Sequence, residues 1–558
     1  MIIILTMSAF LLRGPGITKI PPGVWVDEAV EGLQAGTANA GERLPNLADS
    51  NLVYPRWPVW WTLERVAVHF GGMTVSATRV PAVIVGTLAV PLAWWVVRSL
   101  FGPLAGLVSA SFLAFSFWHI QLSRIGVAPV LLVPEVLIAG WLLLSRRIHR
   151  FRLAGLGVGA LCVVACLDYP ASFALPVWAV AVALLRIVFP ERTSRDRAYG
   201  FWILGGLLAF GILLYLFPGI NLSARLGRTN AVGLAPFMDM AAQAVRTLSN
   251  HLIPVANSLF IWDGFPPGAP RFSPVENFAW LAGIACVLVL PGLPMWSRLG
   301  LVLGFPVLLL PEILPGTSGG IYLVRGVASL GLVSVLAGIG ARVWGPAAGR
   351  AGLGALVVVS AISAWYSGWI TYGPFARSDL SKRIYSGVAV EVAEGIRALL
   401  MEKPVAVFPP LSYVDNPQIA FHLWNDIRAG RIKMAGAPPK EDRAIGVFRD
   451  PVGKQPLVIL VVSHNFTRDR IVGLLDVQAT MMEGLVMQKA GKLREAEETY
   501  RIIAKLIPDY WPALGELWFM LLQQGRKQEA NIFLKEIEKY RPRAFKLIDL
   551  PGVRHKAR

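Results

Sequence analysis

The first acidic residues of the chain, Asp27 and Glu28, follow an apolar N-terminal run and a Pro-Pro-Gly turn at residues 21–23. At a boundary between membrane and water, a carboxylate can be partly desolvated and still reach a polar substrate. Desolvation raises a carboxyl pKa toward neutrality, which suits a general base. The position predicts that Asp27 is a catalytic carboxylate supported by Glu28. If the segment is helical, Glu31 shares the face of Asp27, because it lies one turn further on.

A structural role for Asp27 is the alternative. Asp is favoured at the N-cap of a helix, and here it would cap a short helix over residues 28–38. The residues alone leave both interpretations open. Asp27 with Glu28 could also hold a divalent cation, although the sequence shows no metal site.

The composition is that of a polytopic membrane protein. Of 558 residues, 55% are hydrophobic and 16% are charged, against about 25% charged in an average soluble domain. The net charge of +18 does not indicate nucleic-acid binding, because many arginines lie in short loops between apolar runs, where they set topology. Cys162, Cys166 and Cys286 lie within apolar runs, so neither a disulfide framework nor a zinc site is expected.

A membrane-spanning helix needs about 20 apolar residues. The sequence predicts eleven spans, at residues 1–12, 79–99, 103–118, 126–144, 153–168, 172–190, 199–217, 275–294, 299–314, 322–342 and 351–370. The basic short loops then share the cytoplasmic side with the N-terminus. Residues 1–370 therefore form the predicted membrane domain, with a first outer loop at 14–78 and a second long outer loop at 218–274.

The composition changes after residue 371, where charges become frequent. Apolar runs at 404–408 and 456–462 predict short buried strands, so residues 371–480 are expected to form an extracytoplasmic α/β region.

An internal repeat follows over residues 481–545. The motif at 491–496 recurs at 525–530, and Pro508 recurs as Pro542. Both offsets are 34 residues, the period of the tetratricopeptide repeat. Two helical hairpins of this type are predicted, serving either as a cap without a ligand or as a surface for a protein partner.

Several separate stretches together resemble one family. They are Pro21-Pro22-Gly23 with Asp27-Glu28-Ala29, Arg79-Val80-Pro81-Ala82, Ser116-Phe117-Trp118-His119 with Ser123-Arg124-Ile125-Gly126, and Pro311-Glu312-Ile313-Leu314 with Arg325-Gly326. In this order the chain resembles the lipid-linked-sugar glycosyltransferases with the GT-C fold, which include protein O-mannosyltransferases and lipid A aminoarabinose transferases. The resemblance is to the bacterial members similar to glycosyltransferase family 39.

The resemblance implies an all-α polytopic fold and an inverting transfer of a sugar from a polyprenyl-phosphate carrier to a protein, lipid or surface glycan. Asp27 would take the proton of the acceptor, and the polyprenyl-phosphate sugar would be the donor substrate. Positive charge must stabilise the departing phosphate, and arginine offers a fixed fork of donors for it. The candidates are Arg56, Arg79, Arg124 and Arg325. Snorkelling toward lipid head groups is the alternative for Arg79 and Arg124.

Other residues are candidates for substrate contact. They are Glu31, Trp57 and His119, although a structural role also fits His119. Relatives often carry an adjacent acidic and basic pair late in the first outer loop, whereas here Trp57 follows Arg56. Ala128 likewise stands where relatives often have arginine. Asp168, at the outer end of a predicted span, is either a second site carboxylate or a helix cap.

These departures leave a second function open, an inactive relative whose membrane body anchors the repeats as a scaffold. A transporter or flippase fits less well, because few ionisable residues lie near the middle of the predicted spans. The expected location is the cytoplasmic membrane of a prokaryote, with the C-terminal region outside and lipid, donor and acceptor as partners.

Overall fold

The structure of the chain is a computed structural model. It describes residues 1–41, 59–145, 152–191, 193–216, 237–252, 274–289, 292–314, 325–341, 349–377, 389–390, 393–394, 397, 405–408, 417–434, 444–446, 461–463, 484, 487–488, 492–506 and 511–540. Arg56, Trp57 and most of the second long outer loop lie outside these ranges. The chain divides into two compact units, Met1–Val390 and Glu391–Arg558, so the first unit extends beyond the composition change at residue 371.

The described part of the first unit is built from helices. They are α1 (Ile2–Arg13), α2 (Val26–Asn39), α3 (Val59–Gly71), α4 (Val75–Phe101), α5 (Pro103–Phe115), α6 (Phe117–Leu122), α7 (Leu132–Leu144), α8 (Arg152–Asp168), α9 (Ala174–Val188), α10 (Thr193–Leu216), α11 (Phe237–Leu252), α12 (Pro274–Val289), α13 (Met295–Leu308), α14 (Leu310–Ile313), α15 (Ala328–Gly340) and α16 (Gly349–Ile370). Short 3₁₀ turns at Ala128–Leu131 and Pro170–Phe173 lead into α7 and α9, and a π turn at Thr371–Phe375 follows α16.

Within the described residues, four apolar helical stretches are long enough to cross a membrane: Val75–Phe101, Ala171–Val188, Met295–Ile313 and Gly354–Gly373. Length and composition thus confirm the prediction of an integral membrane protein with several apolar helices. Each of the eleven predicted spans falls on a helix over most of its described residues. The number that cross the bilayer stays a prediction.

Small residues allow close helix crossings in this unit. Where α8 meets α10, a Cβ added at Gly159 would lie 2.4 Å from the backbone of Gly206. The two backbones therefore meet with no room for a side chain, as in membrane helix pairs with small residues at the interface.

We expect Gly159→Ala to destabilise the first unit by about 1–3 kcal/mol, because the added methyl group forces the helices apart. Gly157, two residues earlier on the same helix, has no atom within 4 Å of an added Cβ. Gly157→Ala is therefore the matched control and should gain roughly 0.5–1 kcal/mol from reduced backbone entropy. Unfolding in mixed micelles measures both variants, and equal effects would contradict the close crossing.

A break at Ser116 separates α5 from α6 and frees the last carbonyl groups of α5. Arg13, at the end of α1, donates from Nη1 to the carbonyl of Ala114 (3.0 Å) and from Nη2 to that of Leu113 (2.8 Å). Ser367 donates to the carbonyl of Phe115. The side chains of two distant helices thus stabilise the break, which turns the chain toward the residues at 119–126.

The second unit contains a small mixed sheet. Its strands are β1 (Val405–Phe408), β2 (Ile432–Met434), β3 (Ala444–Gly446) and β4 (Val461–Ser463), in the order β2-β1-β3-β4. β1 pairs parallel with β2 and β3, and β3 pairs antiparallel with β4. Helix α17 (Pro417–Arg428) connects β1 to β2. β1 lies within the predicted strand at 404–408, and β4 overlaps the end of the one predicted at 456–462.

In the part of the second unit that the structure describes, the sheet is followed by the helices α18 (Leu493–Leu506), α19 (Trp511–Gln523) and α20 (Lys527–Tyr540). α18 and α20 begin 34 residues apart and end 34 residues apart, as the sequence motif does. Glu497 of α18 accepts hydrogen bonds from Arg501 and Arg526. The helix–turn–helix pattern fits the predicted repeats, whose assignment to the tetratricopeptide class stays a prediction.

Candidate active site

The first turn of α2 carries the two acidic residues on which the site is built. Trp25 has extended backbone before the helix, and its N–H donates to Oε2 of Glu28 over 3.1 Å. A glutamate at the third helical position that reaches back to the N-cap amide is one half of a capping box. Asp27 is held in the same turn, one residue before Glu28, with its side chain partly buried.

Glu28 is fully buried and forms an ion pair with Arg79 of α4. Nε of Arg79 lies 2.7 Å from Oε1, and Nη2 lies 3.1 Å from Oε2. The backbone N–H of Gly126 also donates to Oε1, over 3.1 Å. With the amide of Trp25, the carboxylate accepts four hydrogen bonds, which offset the cost of burying its charge.

The other N–H groups of Arg79 bind the chain that precedes α2. Nη1 donates to the carbonyls of Ile17 (2.6 Å) and Pro21 (2.9 Å), and Nη2 donates to that of Gly23. A guanidinium has five N–H donors, and all five are engaged here. The geometry therefore does not support the predicted role of Arg79 in phosphate binding, and makes it the partner that positions Glu28.

Arg124 binds the backbone at the end of α1 and in the segment that follows it. Its Nη groups donate to the hydroxyl of Tyr372 and to the carbonyls of Leu12, Arg13, Pro15 and Ile20. The Cζ atom of the guanidinium also lies 5.0 Å from the centroid of the Tyr372 ring. A non-helical segment leaves its carbonyls without helical partners. Arg124 supplies them, and its Nη groups are thereby committed to the protein backbone instead of a lipid phosphate.

Gly126 completes the motif at residues 123–126 by allowing a close approach. A Cβ at this position would lie 2.5 Å from the carbonyl oxygen of Thr78 and 3.2 Å from Oε1 of Glu28. Only glycine leaves room for the amide–carboxylate hydrogen bond here. Three of the stretches that carried the family resemblance, at residues 21–29, 79–82 and 123–126, thus meet around Glu28, although they lie far apart in the sequence.

A second group of carboxyls lies on and beside α3, formed by Glu64 of α3 itself, Glu31 of α2 and Asp168 of α8. Oε2 of Glu31 accepts from Nε1 of Trp60 over 2.7 Å. Oδ1 of Asp168 accepts from the backbone N–H groups of Val59 (3.0 Å) and Trp60 (3.2 Å). Asp168 therefore caps α3 and not its own helix. Glu64, one turn after Trp60, is fully buried; the sequence analysis missed it, because no motif marks it.

These helices lie outside the predicted membrane spans, and their acidic groups are shifted toward the neutral form. Burial raises the pKa of Asp27 to about 6. Burial, with Asp27 as the next cause, raises the pKa of Glu31 well above its usual range. Burial, and after it the neighbouring charges of Glu31 and Glu28, also raises the pKa of Glu64 well above its usual range. At pH 7 Asp27 is mostly ionised, whereas the surroundings of Glu31 and Glu64 favour the protonated form of each carboxyl.

The remaining predicted residues lie elsewhere or outside the described ranges. His119 is fully buried, with Nδ1 3.0 Å from Nη2 of Arg13 and 2.9 Å from the carbonyl of Leu113, a packed position in the fold. Arg325 lies partly buried in the turn that leads into α15. Arg56 and Trp57 belong to the ranges that the structure does not describe.

A divalent cation at Asp27 and Glu28 would need carboxylate oxygens of Glu28 as ligands. Its two oxygens accept four N–H groups, so in this arrangement the Asp27 and Glu28 pair does not fit a cation. Among the described residues, no group of three His, Cys, Asp or Glu side chains is spaced to hold a metal ion.

No family model and no curated protein matches the chain. Among solved structures it is similar to ArnT from Cupriavidus metallidurans in the apo state, at 13% identity over 80% of this chain and 91% of that one, with a TM-score of 0.49. The structure of that protein bound to undecaprenyl phosphate is similar at 12% identity over 80% of this chain and 92% of that one, with a TM-score of 0.47. The Archaeoglobus fulgidus oligosaccharyltransferase in the apo form is similar at 12% identity over 78% of this chain, with a TM-score of 0.46. The match covers 64% of that protein, so the chain spans less than two thirds of its length. Likenesses this weak assign neither residues nor a substrate.

Proposed function

We propose that the chain is a membrane glycosyltransferase that moves a sugar from a polyprenyl-phosphate carrier to an acceptor outside the cytoplasm. The observation that carries the proposal is the state of Asp27. It is a partly buried carboxyl with its pKa raised to about 6, in a helix turn fixed by the Glu28–Arg79 pair. A carboxylate with a pKa near neutrality is well matched to general-base work at physiological pH.

In the proposed reaction, Asp27 removes the proton of the acceptor O–H group. The acceptor oxygen attacks the anomeric carbon, and the bond from that carbon to the phosphate oxygen breaks. The lipid phosphate leaves with the electron pair, and a single displacement inverts the anomeric carbon. Glu28 does not contact the reacting atoms in this scheme, since all its acceptor positions serve to hold α2 in place.

The positive charge that stabilises the leaving phosphate is proposed to come from arginine side chains. Arg79 and Arg124 are engaged with backbone carbonyls. We assign this role to Arg325 and to Arg56, the other two arginine candidates from the sequence.

The finer parts of the proposal follow from the predicted topology. The protein lies in the cytoplasmic membrane of a prokaryote with its C-terminal unit outside. The acceptor is a protein, a lipid or a surface glycan, and helices α18–α20 offer a surface for a protein partner.

The pH dependence of sugar transfer tests this proposal. Below pH 6 Asp27 becomes protonated, and the rate should fall about tenfold per pH unit. The assay uses the purified protein in lipid nanodiscs, a radiolabelled pool of polyprenyl-phosphate sugars and an envelope extract as the acceptor source. A half-maximal rate near pH 6 is expected. An acid limb near pH 4 would contradict the role of a desolvated carboxyl, and absence of transfer at every pH would contradict the enzyme.

A further inference from the structure

Glu64 is a buried carboxyl that the proposed mechanism does not use. Its side chain is fully inaccessible to solvent, and neither carboxyl oxygen has a hydrogen-bond partner among the described residues. Buried polar groups in folded proteins are almost always paired. Leaving a buried acceptor unpaired destabilises the folded state. A partner that binds during function would relieve this loss of stability.

The position of Glu64 on α3 indicates where this partner lies. Trp60 and Glu64 are four residues apart and therefore share one face of the helix. The indole N–H of Trp60 reaches Glu31, so this face lies against α2. Further along the same two helices, the side chain of Asn39 accepts from Nε of Arg65 and donates to the carbonyl of Arg65. Glu64 thus lies in the seam between α2 and α3, beside the carboxyls of α2.

The charges around this seam decide the chemistry of the partner. The elements packed on α3 are α2, α4, α8 and the turn at 128–131. The charged groups that these elements place near Glu64 are Asp27, Glu28 and Glu31 of α2, Arg79 of α4 and Asp168 of α8. The turn at 128–131 has no charged residue. Arg79 is fully engaged with Glu28 and with backbone carbonyls, so among the described groups of these elements Glu64 has acidic neighbours and no cation to pair with.

We propose that Glu64 and Glu31 form a hydroxyl-binding subsite for the sugar carried by the lipid donor. A protonated carboxyl both donates and accepts hydrogen bonds, as a sugar hydroxyl does. A phosphate would be repelled by the neighbouring carboxylates. The inference rests on the proposed function and names the part of the substrate that this seam recognises. Because both oxygens are shielded here, sugar binding requires α3 to shift on α2.

The test compares Glu64→Gln with Glu64→Leu in the full chain. The amide of glutamine keeps a donor and an acceptor, whereas leucine keeps neither. Equilibrium binding is measured for undecaprenyl phosphate and for the same lipid carrying mannose, glucose or arabinose. For at least one sugar, we expect the wild type and Glu64→Gln to prefer the glycosylated lipid by about three- to tenfold, the worth of one or two net hydrogen bonds. Glu64→Leu should lose this preference.

Two further readouts separate binding from a structural role. Ionisation at high pH should weaken the preference of the wild type for glycosylated lipid more than that of Glu64→Gln, in which only Glu31 of the subsite can ionise. Glu64→Leu should raise the unfolding midpoint, because it removes an unpaired buried polar group.

A wild type without sugar preference, or a Glu64→Leu variant that keeps it, would overturn the subsite. A lowered midpoint in Glu64→Leu together with unchanged binding would show that Glu64 only stabilises the fold. The binding assay needs no turnover, so it remains decisive even if the transfer assay finds no activity.

Discussion

Asp27→Asn should lower the rate of sugar transfer by about 10²–10⁴-fold, the usual effect of removing a positioned general base. Asparagine has nearly the shape of aspartate but cannot take the proton of the acceptor. The first turn of α2 should persist, because the capping contact at Trp25 and the ion pair to Arg79 belong to Glu28. Single-turnover transfer from the radiolabelled donor pool, with equal amounts of folded protein in nanodiscs, measures the change.

The stability of the same variant provides an internal control. Because burial raises the pKa of Asp27 to about 6, ionisation opposes folding, and this loss of stability is present above pH 6 and absent below the unfolded pKa. Asp27→Asn should therefore be at least as stable as the wild type at pH 7. Glu495→Gln, on an exposed face of α18, is the matched variant for charge removal and should transfer sugar normally. Equal transfer by Asp27→Asn and the wild type would remove Asp27 from the chemistry.

Arg79→Met should destabilise the first unit by about 3–5 kcal/mol, the usual cost of leaving a buried charge without its partner. The variant leaves the Glu28 carboxylate buried and deprives three backbone carbonyls of their donors. Arg79→Lys keeps the charge but has three donors for five acceptors, so an intermediate loss is expected. Reversible unfolding in mixed micelles measures the free energy of each variant.

The double variant Glu28→Gln with Arg79→Met should recover part of this loss, because it removes the unpaired charge but not the unpaired carbonyls. Arg98→Met, at the exposed end of the same helix α4, should cost far less. If Arg79 binds the lipid phosphate instead, Arg79→Met should weaken donor binding and remain as stable as Arg98→Met. That result would overturn the positioning role assigned here.

Local properties of the sequence were enough for the helices and for the placement of acidic residues along them. A run of apolar residues predicts a helix in a bilayer wherever it stands, because every backbone group must be paired inside the segment. The stretches at 79–99 and 351–370 were predictable for this reason. The spacing of four residues placed Asp27 and Glu31 on one face of α2, and the offset of 34 residues matched α18 with α20.

The partners of the charged side chains were decided only by the tertiary structure. Hydropathy and spacing do not say which helices become neighbours. Arg79 therefore looked like a phosphate ligand at a helix end, although the fold brings its Nε to 2.7 Å from Oε1 of Glu28, 51 residues away.

Asp168 and Glu64 depended on the fold in the same way. Asp168 binds the amide groups of α3, which begins more than 100 residues earlier in the chain. In the sequence Glu64 is an ordinary polar residue of a short helix, and its burial follows only from the packing of α3 against its neighbours. The sequence determined which residues carry charge and which segments are helical. Burial and pairing, which set the pKa of a carboxyl and decide whether a cation is free to bind a substrate, arise from contacts between distant segments.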